Sequence, residues 1–188
     1  MSAVPHQPMT LDAFLAWEEH QPVKYEFDGH RPVAISGGTT AHARIQRNLA
    51  IAIGGRLTDG PCEFFGSDIK IEVVGRIRYP DGFVLCSKPG DSITVHRDPV
   101  VIFEILSEGT ASRDIITKNR EYAATPSVRR YVILPQDEVA ATIFERIDGD
   151  WIGHGPSADP MLRLPEIGIE LPLAELYRGV ELSPLVSD

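Results

Sequence analysis

The segment Val100-Val-Ile-Phe-Glu-Ile-Leu106 places a single carboxylate, that of Glu104, inside an otherwise unbroken apolar run. A run this short and this apolar is typical of a strand that is buried on both faces, at the centre of a sheet. An ionised carboxylate is very costly to bury unless it is paired or bound to a metal ion. We therefore expect Glu104 to have a specific partner.

The segments around this strand predict a mixed α/β (α+β) domain. Downstream, residues 110–124 have a helical pattern and residues 130–134 form a second buried strand, so that the three elements make a crossover between two parallel strands. Upstream, the pattern predicts a helix capped by Thr10, a hairpin at residues 23–35 and a second helix, followed by a mostly antiparallel meander.

Three local patterns complete this outline. The second helix carries an apolar stripe at positions 45, 49, 52 and 53. Residues 65–73 alternate between apolar and polar, which indicates one half-buried strand with Lys70 on its solvated face. The Pro- and Leu-rich remainder, after a turn at residues 148–149, indicates a peripheral meander.

Length and composition bound the architecture and the classes of function. With 188 residues, of which 43% are hydrophobic, we expect a flexible tail at residues 1–9, a single domain at residues 10–180 and a C-terminal tail at residues 181–188. No apolar stretch approaches the roughly 20 residues of a membrane span, and we expect no secretory signal. The net charge of −9 disfavours a protein that coats nucleic acid by charge alone, but not an enzyme with a locally basic groove.

The two cysteines and the known cofactor motifs add little to this outline. Cys62 and Cys86 have no metal-binding spacing, which favours reduced thiols and a cytoplasmic location. The sequence contains no P-loop, no dinucleotide fingerprint and no Ser-centred nucleophile elbow. The chemistry is therefore sought among the acidic side chains.

A second carboxylate stands in Tyr79-Pro80-Asp81-Gly82, at a predicted strand entrance. Asp81 and Glu104 are 23 residues apart (104 − 81), far enough to lie side by side on neighbouring strands. Two carboxylates so placed make a hard-oxygen site, which suits Mg²⁺ or Mn²⁺ with waters completing the shell. An ion held this way can polarise a phosphoryl oxygen and generate a hydroxide nucleophile.

Lys118 is the third candidate for the catalytic site. It lies three residues after Ile115 and four before Tyr122, so the helical phase directs it toward the sheet. A lysine aimed at two carboxylates and a metal could position the attacking water or stabilise pentacovalent charge. Each residue also has a structural interpretation: Asp81 as a turn or cap, Glu104 as half of an ion pair, and Lys118 as a surface lysine.

Three further residues are candidates for supporting roles. Glu26 could add a carboxylate to the site or be a solvated acid of the hairpin. His42 opens the second helix beside a Gly-Gly-Thr-Thr loop, where it could contact a phosphate, orient a water or cap the helix. Asp68 could support the metal ligands by hydrogen bonding, without binding the metal itself.

These residues belong to short motifs that resemble a known family. Pro80-Asp81 followed by Glu104-Ile-Leu106 is similar to the PD-(D/E)xK nuclease signature, and the chain more closely resembles the bacterial restriction endonucleases of the Uma type. The resemblance spans roughly residues 10–150. The matching motifs lie, in the order of the family, at residues 25–29, 36–42, 66–68, 79–81, 101–107, 113–118 and 126–132.

The resemblance implies a restriction-endonuclease-like core, with a mixed central sheet flanked by helices. It further implies that Asp81 and Glu104 are metal ligands for Mg²⁺-dependent hydrolysis of phosphodiesters. The wider superfamily places its lysine two residues after the acid, where this chain has Leu106. The resemblance implies that the lysine has moved to the helix, at Lys118, in agreement with the helical phase.

The resulting prediction is a metal-dependent endonuclease that hydrolyses DNA, as a homodimer whose two centres would cut both strands. One alternative is a catalytically silent nucleic-acid-binding or scaffold module of the same fold, which metal binding would distinguish. Another is a hydrolase of RNA or of a nucleotide, which a substrate panel would distinguish. The basic residues expected near the site are Lys24, Arg31, Arg44, Arg47, Arg113 and Lys118.

Overall fold

The computed structural model describes residues 7–35, 37–106, 111–157 and 159–182, without the side chains of residues 111–114 and 157. The helices are α1 (Leu11–Glu18), α2 (Thr40–Leu49) and α3 (Ala111–Ala123). The first seven strands are β1 (Tyr25–Phe27), β2 (Pro32–Ala34), β3 (Glu63–Gly66), β4 (Lys70–Val73), β5 (Arg76–Arg78), β6 (Gly82–Leu85) and β7 (Val95–His96). The others are β8 (Val101–Ile105), β9 (Arg130–Leu134), β10 (Ala141–Ile147), β11 (Asp150–Ser157), β12 (Met161–Leu164) and β13 (Ile169–Pro172).

The predicted central strand lies inside a sheet whose order, within the described residues, is β11-β10-β9-β8-β6-β3. Strand β8 pairs in parallel with β9, across the helix α3, and antiparallel with β6. Every residue of β8 and β9 is buried except Glu104, which is partly exposed. The predicted crossover and the predicted mixed α/β fold class are therefore confirmed.

The two faces of this sheet are covered by different helices. One face packs Val101 and Phe103 against Ile45 and Leu49 of α2. The other face packs Ile102 and its neighbours against Tyr122 of α3. Because side chains alternate along a strand, Glu104 projects on the α3 face with Ile102.

Local capping and core patterns of the helices agree with the sequence. The Thr10 hydroxyl accepts a hydrogen bond from the Ala13 N–H at 3.2 Å, and the Thr39 hydroxyl accepts one from the His42 N–H at 3.1 Å. The apolar stripe at positions 45, 49, 52 and 53 is buried as predicted. Its second half lies in a π-helical turn, Ala50–Gly54, that continues α2.

The single strand predicted at residues 65–73 is wrong. A turn at residues 67–69 separates β3 from β4, and the two strands belong to different sheets. Lys70 is not solvated: it is 7% exposed, and its Nζ lies 2.5 Å from the carboxylate of Glu18. The alternating pattern continues through the turn, so it cannot show where the chain changes partner.

The second sheet has the order β2-β1-β5-β4-β7 among the described residues. Ile71 of its strand β4 packs in the same core as Phe83 and Ile102 of the first sheet. The helix α1 covers part of it, with Phe14 packed on Phe27 and Ile77. This sheet is what brings β1 and β5 close to the candidate site.

The C-terminal region is part of the core, so its description as a peripheral meander is wrong. Strands β12 and β13 form a hairpin whose Leu162, Leu164 and Leu171 are at most 1% exposed. They belong to the cluster that includes the α2 stripe. The side-chain amide of Asn48 also donates to the carbonyls of Leu176 and Arg178, at 2.9 and 3.0 Å.

The expectation of two reduced cysteines is wrong as well, because Cys62 and Cys86 form a disulfide. Strands β3 and β6 pair with Glu63 opposite Leu85, which places the two cysteines side by side at the next position. This register follows from long-range strand pairing and has no signal in the spacing of the cysteines. In the described part of the chain, no helix has the length and apolar character that crossing a bilayer requires.

Candidate active site

Asp81 and Glu104 face each other at one end of the paired strands β6 and β8. The strand ladder ends with Gly82 opposite Phe103, so the next position along both strands sets Asp81 opposite Glu104. The N–H of Ile105 donates to Asp81 Oδ2 at 2.7 Å, which fixes this carboxylate against β8. Residues directly opposite in an antiparallel pair project on the same face of the sheet. The two carboxylates therefore share one site.

The helix α3 supplies two hydrogen-bond donors to Glu104. Lys118 Nζ lies 3.0 Å from Glu104 Oε1, and the Tyr122 hydroxyl donates to the same oxygen at 3.1 Å. Lys118 and Tyr122 are four residues apart and hence neighbours on one helix face. This face of α3 packs on β8, the strand that precedes it in the chain.

The environment of Glu104 shifts its ionisation. Burial raises the pKa of the Glu104 carboxyl to about 7, the charges of Asp81 and Glu26 add to the increase, and Lys118 opposes it. A carboxyl with a pKa in this range changes charge near neutral pH, which is common in functional sites. Because the net shift of this pKa is upward, the positive charge of Lys118 does not fully offset the cost of burying the Glu104 carboxylate.

His42 approaches the same site from the first turn of α2. Its Nε2 lies 3.1 Å from Asp81 Oδ1, and this hydrogen bond raises the pKa of His42 although burial opposes the shift. Gln46, one turn later, donates to the Asp81 carbonyl at 3.2 Å. A Cβ at Gly38 would lie 2.7 Å from His42 Cγ, so the loop can approach the imidazole this closely only with glycine there.

Glu26 lies at the site through its contact with Lys118. Its Oε1 is 3.4 Å from Lys118 Nζ and accepts the Tyr79 N–H at 3.2 Å. Its Oε2 is 3.3 Å from Arg78 Nη1. Glu26 is therefore paired with two cationic side chains, Arg78 and Lys118, and it shares Lys118 with Glu104.

Asp68 is not brought to the site. Its side chain is 94% exposed and forms an ion pair with Lys24 at 2.6 Å. The structure thus gathers five of the six predicted residues, namely Asp81, Glu104, Lys118, Glu26 and His42. The side chain of Arg113, one of the expected basic residues, lies outside the described residues, as does Ser36 of the loop before α2.

Several residues of the site were missed by sequence reasoning. Tyr122 and Gln46 each lie one helical turn after a predicted residue, Lys118 and His42, and this spacing was a usable signal. Arg78 and Glu121 form a buried ion pair next to the site, with Arg78 Nη2 at 2.7 Å from Glu121 Oε1. Because Arg78 lies in the other sheet, no local pattern connects it with the site.

The donor set fits a hard divalent cation. Mg²⁺ is commonly held by one or two carboxylates while waters and substrate phosphate oxygens complete its shell. No group of three or more His, Cys, Asp and Glu side chains is arranged for a metal ion within the described ranges. Asp81 and Glu104 are the two carboxylates that could contribute to such a shell, and a cation between them would favour the ionised form of Glu104, whose pKa is raised mainly by burial.

Comparisons with known proteins agree with the predicted family. The sequence model of Uma2, described as a putative restriction endonuclease, matches residues 11–174. An uncharacterized protein of Synechocystis sp., slr1290, is 31% identical over 183 residues, which cover 95% of this chain and 96% of that protein. A second Synechocystis protein, sll1609, is 25% identical over 150 residues, or 77% of this chain and 85% of that one.

A solved structure shares the fold. The crystal structure of a putative nuclease belonging to DUF820 from Anabaena variabilis matches with a TM-score of 0.73. The match covers 91% of this chain and 98% of that chain at 17% sequence identity. At this identity the likeness establishes the common architecture.

Proposed function

The chain belongs to the Uma2 family of putative restriction endonucleases, and from this premise we propose that it is a metal-dependent phosphodiesterase that cleaves DNA. One observation carries the proposal. Asp81 and Glu104 occupy opposed positions on adjacent strands, and Lys118 reaches Glu104 at 3.0 Å from the crossover helix. This arrangement would supply two hard-oxygen ligands and one cation at the same end of two paired strands.

Asp81 and Glu104 would hold Mg²⁺ or Mn²⁺, which when bound supplies Lewis-acid polarisation of a phosphoryl oxygen. For this role Glu104 must be ionised. Its hydrogen bonds from Lys118 and Tyr122 favour the ionised form, and they also fix the direction of its Oε1. The Ile105 N–H does the same for Oδ2 of Asp81.

Lys118 and His42 provide positive charge on either side of the carboxylates. The ammonium of Lys118 would stabilise the negative charge that develops on the phosphoryl oxygens during attack. The hydrogen bond between His42 Nε2 and Asp81 raises the pKa of His42, which favours the imidazolium form that would carry the positive charge. Glu26 also contacts Lys118, with its Oε1 at 3.4 Å from the ammonium.

DNA as the substrate and a homodimer complete the proposal. A duplex has two strands of opposite direction, and a two-fold dimer presents two equivalent centres to them. Of the expected basic residues, Lys24 and Arg31 are engaged with Asp68 and Asp28. On α2, Arg47 donates to Asn48 Oδ1 at 2.9 Å, which leaves Arg44 as the described arginine of that helix for a phosphate contact.

The test combines metal binding and cleavage. Mn²⁺ binding is measured by titration calorimetry, and nicking of a supercoiled plasmid is followed with Mg²⁺ or Mn²⁺, with RNA and nucleotide diesters in parallel. Wild type should bind Mn²⁺ and nick the plasmid, whereas Asp81→Asn should lose both properties. Asp68→Asn is the matched control, since that exposed acid lies outside the site and its loss should change neither. Equal cleavage by Asp81→Asn would refute the proposal.

A second candidate function is a silent nucleic-acid-binding module of the same fold. It is favoured by the pairing of Asp81 with His42 and of Glu104 with Lys118, which engages one oxygen of each carboxylate with a cationic group. In that case the wild-type protein would retard DNA in a gel, without cleavage and without binding Mn²⁺. Retention of DNA binding by Asp81→Asn would then be expected.

A further inference from the structure

We infer that Arg78 is a positioning residue for the proposed nuclease centre, because it sets the place of Lys118 through two separate contacts. The inference rests on the proposed function insofar as Lys118 serves catalysis. Arg78 lies on β5 of the second sheet, whereas Lys118 lies on α3 above the first. The link between these elements is a chain of buried charges.

The first contact joins Arg78 to the helix that carries Lys118. The guanidinium forms a bidentate fork with the Glu121 carboxylate through its Nε–Nη2 edge, with Nε to Oε2 at 2.8 Å and Nη2 to Oε1 at 2.7 Å. Both side chains are 5% exposed. Glu121 follows Lys118 by three residues, so the two project from the same face of α3. The fork therefore restrains the rotation of α3 about its axis at the turn where Lys118 points toward Glu104.

The second contact reaches Lys118 through Glu26. Arg78 Nη1 lies 3.3 Å from Glu26 Oε2, and the other oxygen of Glu26 lies 3.4 Å from Lys118 Nζ. Lys118 is thus held between Glu104 and Glu26, and Arg78 fixes the second of these acids. Arg76 also contacts Glu121, at 3.1 Å, but its side chain is 35% exposed, so it is the weaker anchor.

The arginine fork is specific to this task. A guanidinium presents several donors in one rigid plane and can bind two oxygens of a carboxylate at once while a third nitrogen binds elsewhere. A lysine at this position would retain the charge but act as a point donor. Arg78→Lys should therefore leave the charge balance of the core intact and release the restraint on Lys118.

The experiment reads the restraint on Lys118 from the rate at which its amine is acetylated, so it does not depend on catalysis. The four lysines, Lys24, Lys70, Lys88 and Lys118, are acetylated with limiting reagent, and the rate at each is read by mass spectrometry. In Arg78→Lys, Lys118 should react about tenfold faster than in wild type, as expected for the loss of one hydrogen bond to a charged group. Lys70, equally buried and paired with Glu18, should keep its wild-type rate.

A matched control separates positioning from general destabilisation. Arg130 is also a buried arginine between two acids, at 2.7 Å from Glu145 and 2.8 Å from Glu166, but it lies at the far end of β9. Arg130→Lys should lower the melting temperature and leave the labelling of Lys118 unchanged. Should Arg78→Lys fail to fold, Glu121→Asp provides a second test. It moves the carboxylate away from Arg78 by one methylene group and retains both charges. An unchanged rate at Lys118, or an equal rise at Lys70, would overturn the inference.

Kinetics distinguish this inference from the proposed function. Arg78→Lys should lower kcat with little change in KM, and should cause no further loss in a Lys118→Ala background, because it acts through Lys118. Additive losses would overturn the inference. A wild-type protein without any cleavage would overturn the proposed function instead, and the labelling rates would still decide whether Arg78 sets Lys118.

Discussion

The ammonium of Lys118 lies 3.0 Å from Oε1 of Glu104, although the lysine comes from a helix and the acid from the strand before it. The strand position two residues after Glu104 is Leu106, whose N–H pairs with the Leu134 carbonyl and whose side chain packs in the core. The helix thus delivers a cation to the carboxylate that the strand itself cannot provide. The geometry agrees with the helical phase read from the sequence, and the catalytic role of Lys118 stays a prediction.

Replacing Glu104 by glutamine should separate the metal-site interpretation from that of a structural ion pair. The Gln side chain keeps the shape and removes the buried charge. In EDTA at about pH 8, where the native carboxylate is ionised, Glu104→Gln should be at least as stable as wild type. Mn²⁺ at about 100 times its Kd should stabilise wild type by about 2.7 kcal/mol and leave the variant unchanged. Thermal melts with and without metal provide the measurement.

A structural ion pair between Glu104 and Lys118 predicts the reverse result. Removing one member of a buried pair would then destabilise the protein by roughly 3–5 kcal/mol, with or without metal. Wild type would show no shift with Mn²⁺. That combination would favour the silent module over the nuclease.

The pH dependence of stability follows from the raised pKa of Glu104. Burial raises this pKa from 4.5 to about 7, so between these values the folded protein holds a proton that the unfolded chain has released. Stability in EDTA should therefore fall as pH rises through this interval. His42, whose pKa is raised mainly by its hydrogen bond to Asp81, contributes in the same direction above pH 6.5.

Glu104→Gln is the reference for this measurement because it retains the largest cause of the raised His42 pKa, the hydrogen bond to Asp81. The unfolding free energy of wild type minus that of the variant should decrease from about pH 5 to about pH 8 and then level off. Denaturant titrations at several pH values give that difference. A pH-independent difference would mean that Glu104 does not titrate in this range.

Lys118→Ala should impair catalysis more than it affects folding. Loss of one preorganised cation beside developing negative charge should lower kcat by about 10²-fold. Plasmid nicking under single-turnover conditions is the measurement. Lys88→Ala serves as the control, since Lys88 is exposed in the segment between β6 and β7. If both variants retain the wild-type rate, Lys118 has no catalytic role.

The Cys62–Cys86 disulfide should stabilise the paired ends of β3 and β6. It closes a loop with a sequence separation of 24 residues, for which the chain-entropy model gives about 3.5 kcal/mol. Treatment with a thiol reductant, or the double change of both cysteines to serine, should lower the unfolding free energy by about this amount. Thiol titration of the untreated protein should detect no free cysteine, and two free thiols with unchanged stability would contradict the bond.

Much of the core could be predicted from the sequence because it depends on local periodicity. The apolar run at residues 100–106, the crossover helix and the strand at residues 130–134 each have a distinct pattern over a few residues. The phase of Lys118 and the order of Asp81 and Glu104 follow from the same patterns. Family resemblance then supplied the chemistry that such patterns do not contain.

Other features were decided only by the tertiary structure. Three contacts join residues that are distant along the chain: the ion pair of Lys70 with Glu18, the disulfide, and the fork between Arg78 and Glu121. Whether an exposed-looking charge is buried depends on which carboxylate the fold places beside it, and a local pattern is the same in either case.

The sequence by itself determined that a carboxylate would lie in the central strand of a mixed sheet. Only the tertiary structure decided which groups surround it, because strand register and helix docking are set by packing across the whole core. The side chains around Glu104 come from two different helices, α2 with His42 and α3 with Lys118 and Tyr122, and from the entrance of β6 with Asp81. Their meeting at Glu104 is a consequence of long-range pairing, which no short stretch of sequence encodes.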